Sequence, residues 1–349
     1  MVPSSRKERF QTLFPKEPLF RWKQVEEALF LPSFKKWEEV TSLPVSMRQA
    51  LAVNLPWISV KSVRVLESVE GDTFKVALNL EDGCVIESVL LRNARDGWTA
   101  CMSTQVGCAM HCTFCATGTM GLTRNLLADE IVDQYRFWIS FLQERNDQDR
   151  LGNLVLMGMG EPLANYENVR EALNTILKQT DVGPTHITVS TVGILPRLEQ
   201  LLTDPSWPAI RIAISLHSAD AETRKKIIPS SYDDFLPKLR DWAKRYLEIQ
   251  GNRRHHLTFE YVLLRGINDS EQDAKTLADY AASICPEEVR INLIPYHKTG
   301  GTFDRSKEEQ MDVFRNVLER RGITATCRRS MGEDIQGACG QLATEKSES

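Results

Sequence analysis

From about residue 99 the chain settles into one rhythm of apolar and polar positions. Short apolar runs recur as TACMSTQV, NLVLMGMG, HITVSTVG, IRIAISLH, LTFEYVLL and VRINLIPY. Longer stretches with helically spaced apolar residues separate them, among them LADEIVDQYRFWISFLQE, NVREALNTILKQ and DFLPKLRDWAKRYLEIQ. The runs have strand length and the stretches have helix period. Strands alternating with helices predict an α/β fold with a parallel sheet and right-handed crossovers. Six units are too few to close an eight-stranded barrel. The pattern therefore predicts an open, partial (β/α)6 barrel, with its chemistry at the C-terminal strand ends. Unusual residues collect there: the cysteines of the first unit, Gly158-Met159-Gly160-Glu161, Ser190-Thr191, Ser215-Leu216-His217 and Tyr296-His297.

Upstream the pattern differs. Residues 1–75 read as a small helical unit, with Phe34, Trp37 and Val40 at helical spacing and Leu31-Pro32 and Leu43-Pro44 as punctuation. FPKEPLFRWKQ sets Lys16, Arg21 and Lys23 among aromatics. That is either a solvated helix face with a tryptophan in the core or a nucleic-acid contact. FKVALNL and CVIESVLL alternate apolar and polar, which predicts a linking hairpin over 76–98, turning at Glu81-Asp82-Gly83. The barrel then spans 99–300. A C-terminal segment, 301–349, ends in QLATEKSES, which reads as frayed.

Composition changes this picture little. With 42% hydrophobic and 26% charged residues, the chain has an ordinary globular make-up. Its net charge of −4 means that a nucleic-acid partner must be held by local basic patches rather than by the global field. MVPSSRKERF lacks the apolar core of a secretory signal, and no apolar run is long enough to span a membrane. Eight cysteines in such a chain point to a reducing, cytoplasmic setting and to metal or catalytic roles.

Three of those cysteines, Cys108, Cys112 and Cys115, stand in the spacing C-x3-C-x2-C on a loop leaving the first strand. Structural zinc sites want four ligands. A four-iron cubane held by three thiolates leaves one iron open, and an open iron means chemistry. A chelating amine and carboxylate can close it. A three-ligand zinc site completed by a distant residue is the alternative. His111, inside the motif, reads as a loop residue. MGMGEP ends the second strand, where glycines admit a ligand to the backbone and Glu161 can accept from an ammonium group.

The three-cysteine loop, with Phe114 before its last cysteine, resembles the radical SAM enzymes. TQVGCAMHCTFCATG, MGMGEPLANYENV, ISLHSADAETRKKIIP, INLIPY and GEDIQGACGQLA, in that order, resemble the RlmN/Cfr family of radical SAM RNA methyltransferases over nearly the whole chain. PLFRWKQVEEALF is similar to that family's RNA-binding adaptor. The resemblance implies a 4Fe-4S cluster on Cys108, Cys112 and Cys115, and two molecules of S-adenosylmethionine (SAM) per turnover. It implies SAM contacts at Gly160, Glu161, Ser190, Ser215, Leu216 and His217. A further contact falls at His297, where bacterial members carry asparagine. It gives Cys339 the role of methyl carrier, Cys101 that of the thiol which frees the product through a transient disulfide, and Glu87 that of proton acceptor. The product it implies is 2-methyladenosine in 23S rRNA, and in tRNA beside the anticodon. The alternatives are a Cfr-type C8 product, a small-molecule substrate, or a metal-binding RNA module without turnover. An electron donor such as flavodoxin or ferredoxin and a monomeric state are implied too. Cys84, Cys285 and Cys327 match no functional position. Arg328 and Arg329, and the cluster Arg253, Arg254, His255 and His256, read as phosphate contacts or as solvated charge.

Overall fold

The computed structural model describes residues 4–93, 97–250 and 256–343. Arg253, Arg254, His255 and the end of the QLATEKSES tail lie outside the described residues. The N-terminal helices are α1 (Arg6–Leu13), α2 (Leu19–Ala28) and α3 (Val45–Asn54). Ser5 and Glu8 cap α1 reciprocally, each satisfying the other's free backbone N–H. The Phe34, Trp37 and Val40 spacing makes no α-helix, only a single turn at Trp37–Glu39. Pro32 and Pro44 bracket a stretch too short to propagate one. Trp37 and Val40 are nonetheless buried in a core shared with Leu51 and Leu55. The Trp37 indole N–H donates to the Leu55 carbonyl at 2.7 Å.

The helical unit ends earlier than residue 75. Strand β1 (Val60–Glu67) already pairs antiparallel with β2 (Thr73–Leu80), β2 with β3 (Val85–Arg92), and β3 with β4 (Trp98–Cys101). The predicted hairpin turn forms, with Gly83 at φ +85°. It is the middle of a meander that runs into the main sheet, not a linker. β1 was hidden from the hydrophobic pattern because it is an edge strand, exposed along most of its length, and Lys61, Arg64 and Glu67 interrupt its alternation.

The first predicted strand, TACMSTQV, divides. β4 stops at Cys101, and β5 (Gln105–Cys108) leaves the sheet to pair with β6 (Gly121–Asn125). Helix α4 is one short turn, Ala116–Thr119, between them. The division is pinned by helix α5 (Ala128–Glu144): Gln134 on it accepts from the Ser103 N–H at 2.7 Å and donates to the Ser103 carbonyl at 2.9 Å. Gly107 sits where β5 and β6 cross, at φ +77°, and a Cβ there would lie 1.9 Å from the Gly121 carbonyl oxygen. Only glycine allows that crossing.

The remaining runs become β7 (Leu151–Leu156), β8 (Ile187–Thr191), β9 (Arg211–Ser215), β10 (Leu257–Leu263) and β11 (Val289–Pro295). All pair in parallel, in chain order, beside β4. Between them run α6 (Tyr166–Gln179), α7 (Leu195–Thr203), α8 (Ala221–Ile227), α9 (Phe235–Gln250) and α10 (Glu271–Ala282). The predicted six-strand partial barrel is present. A seventh parallel strand, β12 (Thr324–Cys327), follows helix α11 (Glu308–Arg320) and pairs with β11. The barrel therefore continues past residue 300, and the C-terminal segment supplies its last strand before looping back.

Buried charge couples the N-terminal helices to the barrel. Asp133 on α5 is fully buried and pairs with Arg6 and with Arg136, and it also accepts from the Ser59 N–H and hydroxyl. No described helix is long and apolar enough to cross a membrane.

Candidate active site

Cys108 is the last residue of β5, and Cys112 and Cys115 lie on the loop that β5 and β6 frame. The Cys115 N–H donates to the Cys112 carbonyl at 3.1 Å, which coils the loop tightly. A Cβ on Gly118 would come within 2.8 Å of that same carbonyl, so the coil admits no side chain there. His111 turns away, its Nδ1 3.1 Å from the Gly118 carbonyl, and acts as a loop brace. All three cysteines line one cavity of about 150 Å³ at the C-terminal ends of the parallel strands.

Burial pushes the Cys108 thiol up to about 11 and raises Cys112 and Cys115 as well. Such thiols are neutral at pH 7 until a cation draws off their protons. Among the described residues no three His, Cys, Asp or Glu side chains converge on one ion-sized point. Three thiols on one cavity wall are the donor set a cubane takes, each thiolate binding a different iron.

The same cavity gathers most of the predicted SAM contacts. Gly160 follows β7 at φ +102°, and a Cβ there would strike Gln105 at 2.5 Å. Gln105 in turn accepts from the Glu161 N–H at 2.8 Å. The Glu161 carboxylate is 3% exposed and held by three donors, the Leu163 N–H at 2.9 Å, the Thr191 hydroxyl at 2.6 Å and the Val192 N–H at 2.9 Å. Its position is thus fixed before any ligand arrives. Ser190 and Ser215, at the ends of β8 and β9, stand 3.2 Å apart through their hydroxyls. His217 has φ +56°, an uncommon conformation for a residue with a side chain. Its Nδ1 accepts from the Val262 N–H at 3.0 Å, so Nε2 carries the proton. Burial pulls its pKa down to about 3, which keeps the ring neutral.

Two of the predicted SAM contacts are placed elsewhere. Leu216 is fully buried and does not line the cavity; its carbonyl accepts from Arg224. His297 lines a second cavity of about 270 Å³, with its Nδ1 3.4 Å from a Glu333 carboxylate oxygen. The two histidines line different cavities.

Cys101, at the end of β4, also opens onto the second cavity, and burial pushes its thiol up to about 12. Cys339 comes to the same place from the C-terminal loop and lines both cavities, as do Met157 and Arg328. Backbone and side-chain bonds tie that loop over the site. The Ala116 N–H donates to the Gly340 carbonyl at 2.8 Å, the Thr117 hydroxyl to Leu342 at 2.5 Å, and Gln341 to Lys298 at 3.1 Å. All eight cysteines are free thiols.

Glu87, the proton acceptor that the resemblance implies, lies buried on β3 and lines neither cavity. Lys75 pairs with it at 3.1 Å, and the Ala343 N–H donates to it at 2.9 Å. Its carboxylate serves as an anchor for the C-terminal loop in this conformation. Two residues of the site were not singled out as such from the sequence. Glu260 stands inside the apolar run LTFEYVLL, where a lone carboxylate on a buried strand was an available signal. Arg328, read as a phosphate contact or as solvated charge, reaches inward to Cys339.

Comparison with known proteins bears on this arrangement directly. The radical SAM superfamily model matches residues 102–278. A probable dual-specificity RNA methyltransferase RlmN from Chlorobium phaeobacteroides (strain BS1) is 38% identical over 95% of this chain and 91% of its own length. The dual-specificity RNA methyltransferase RlmN of Desulfotalea psychrophila is 39% identical over 95% and 90%. The chain belongs to the RlmN/Cfr family of radical SAM RNA methyltransferases. A crystal structure of a radical SAM methyltransferase from Sphaerobacter thermophilus superposes with a TM-score of 0.86, at 36% identity and 96% coverage of both chains. As a member of this family the protein is an enzyme that uses a 4Fe-4S cluster and SAM.

Proposed function

We propose that the protein methylates C2 of an adenosine in the peptidyl-transferase loop of 23S rRNA, and of a tRNA adenosine beside the anticodon, through a methylated Cys339. One observation carries this reading: two thiols outside the three-cysteine loop, Cys101 and Cys339, line a single cavity that adjoins the three-cysteine cavity. A radical SAM enzyme acting on a small molecule has no use for that pair. Cys108, Cys112 and Cys115 would hold the 4Fe-4S cluster, which would supply the electron for reductive cleavage of SAM, while SAM would supply both the radical and the methyl group. Glu161 receives the methionine ammonium, with its carboxylate already oriented by Thr191, Val192 and Leu163. Ser190, Ser215 and the neutral His217 offer hydroxyls and an N–H to the rest of the nucleoside. Cys339, on the wall shared by the two cavities, receives the methyl on its sulfur and presents it to the adenine. The Cys101 thiolate then attacks the Cys339 sulfur, a step that needs the thiolate within reach. An S–S bond forms as the bond from that sulfur to the RNA-linked methylene breaks, and the carbon keeps the electron pair and takes a proton to become the methyl group. Glu87 becomes available as proton acceptor only when the Ala343 contact opens.

The helical unit serves as the RNA adaptor. Its α2 exposes Leu19 and Phe20 beside Arg21, a surface of stackable and cationic groups. The enzyme works as a cytoplasmic monomer fed by a flavodoxin or ferredoxin. Mass analysis of nucleosides from rRNA and tRNA of cells with and without the gene tests the reading. 2-Methyladenosine should vanish with the gene. 8-Methyladenosine in its place would assign the Cfr-type reaction, and no change in either would refute an RNA adenine substrate.

A further inference from the structure

Glu260 carries a carboxylate into the barrel from β10, and one of its two oxygens is accounted for. The residue is 3% exposed and lines the three-cysteine cavity but not the second one. Its Oε1 accepts from the Asn292 amide at 3.0 Å and pairs with Arg328 at 3.5 Å. Its Oε2 is buried and has no hydrogen-bond partner among the described residues. An ionised carboxylate can only accept, and a buried acceptor left unmade is costly, so Oε2 calls for a donor from outside the chain. The surroundings fix where that oxygen stands. The Leu216 and His217 N–H groups donate to the Glu260 backbone carbonyl at 3.0 and 3.2 Å, which ties β10 to the stretch that follows β9. Glu260 is in register with Ser215 on β9 and with Asn292 on β11, and register neighbours in a sheet point to the same face. Beyond Asn292, the Thr326 hydroxyl of β12 donates to the Asn292 Oδ1 at 2.5 Å, which turns the amide nitrogen toward Glu260. The carboxylate is thus oriented through Oε1. Oε2 is left for the cavity that Glu260 shares with Ser190 and Ser215, whose hydroxyls are 3.2 Å apart.

We propose that Glu260 is a further SAM-binding residue, its Oε2 accepting from a ribose hydroxyl of the adenosyl group beside Ser190 and Ser215. The inference rests on the reading of those two serines as SAM contacts. The chemistry of the donors selects the ribose. A vicinal diol offers two O–H donors, and a carboxylate that bonds them makes a charge-assisted pair, as acidic residues do with nucleotide ribose. The methionine ammonium already has a carboxylate in Glu161, held by its own three donors. In the proposed reaction the RNA adenine meets Cys101 and Cys339 in the second cavity, which Glu260 does not line. His297, the contact that the resemblance puts just past β11, lines that second cavity too. Glu260, one strand nearer to Ser215, supplies the polar contact on the SAM side instead.

The test uses cluster-loaded enzyme and S-adenosylhomocysteine, which keeps the amino acid and the ribose but has no methyl group to transfer. Its 2′-deoxy and 3′-deoxy forms each lack one hydroxyl. Dissociation constants are read by anaerobic equilibrium dialysis for wild type, Glu260→Gln, Glu260→Ala and Ser215→Ala. Iron content and unfolding temperature report the fold. In wild type at least one deoxy form should bind about tenfold more weakly than the parent, the loss expected for a charge-assisted hydrogen bond. Glu260→Ala should weaken the parent ligand by a similar factor, and Glu260→Gln by less. In Glu260→Ala the penalty for the missing hydroxyl should shrink to about twofold or less, because its partner is gone. Equal binding of all three ligands by wild type overturns the proposal and needs no variant to fold. A penalty that persists in full in a Glu260 variant that keeps its iron overturns it as well. Unchanged affinity in Ser215→Ala refutes the serine reading instead, and the hydroxyl penalty still decides the role of Glu260.

Discussion

Each cysteine's role follows from its surroundings rather than from its identity. Cys108, Cys112 and Cys115 share a cavity wall, are raised by burial, and have the fixed Glu161 carboxylate opposite. Cys84, Cys285 and Cys327 line neither cavity of the site; Cys84 and Cys285 pack against the main core, whereas Cys327 is exposed on the edge strand β12. Replacing Cys112 by alanine leaves the loop's backbone bonds in place, since they use the Cys112 carbonyl and the Cys115 backbone, not the Cys112 side chain. Its effect therefore falls on metal rather than on fold. Anaerobically prepared wild type should hold about four irons per chain, and Cys112→Ala fewer than one, by iron assay and visible absorption. Stoichiometric zinc in the wild type would contradict the cluster.

Among the elements, those that bury one face were legible and those that bury little were not. Helix α5 emerges at the predicted stretch because Ile131, Tyr135, Trp138 and Leu142 repeat at its period and are all buried. The parallel strands of the barrel read as apolar runs because helices cover them. β1 and β12 escaped because exposed edge strands carry polar residues, and β5 escaped because a continuous apolar run conceals the break at Ser103. In the site, motif residues were legible where the backbone makes the contact, as at Gly160. They were not where a side chain's partner lies far along the chain, as for Glu87 with Ala343 or Arg328 with Glu260. The same long-range logic fixes the N-terminal helices. Arg6 leaves α1 to meet the buried Asp133 on α5, with its Nε on the Pro56 carbonyl at 3.1 Å. Removing one partner of a buried pair costs about 3–5 kcal/mol. Arg6→Ala should lower stability by roughly that amount and speed proteolysis ahead of β1, with iron content unchanged. A stability loss under about 1 kcal/mol would mean that the pair does not anchor the unit.

At the scale of the molecule, one sheet links every functional part. The meander brings Glu87, β4 brings Cys101, the middle strands bring Glu161, Ser190 and Ser215, and β12 delivers the loop that carries Cys339. The loop closes back on α4 through Gly340 and Leu342, so Cys339 and the three-cysteine loop share one wall. In the proposed reaction Cys339 carries the methyl group and Cys101 resolves the tether. Incubating Cys101→Ala and Cys339→Ala enzymes with substrate RNA, SAM and reductant separates those roles on a denaturing gel. Cys101→Ala should accumulate protein covalently bound to RNA, as a nuclease-sensitive shift. Cys339→Ala should give neither shift nor methylated RNA while keeping its iron. Normal turnover by Cys101→Ala, with no adduct, would contradict the account.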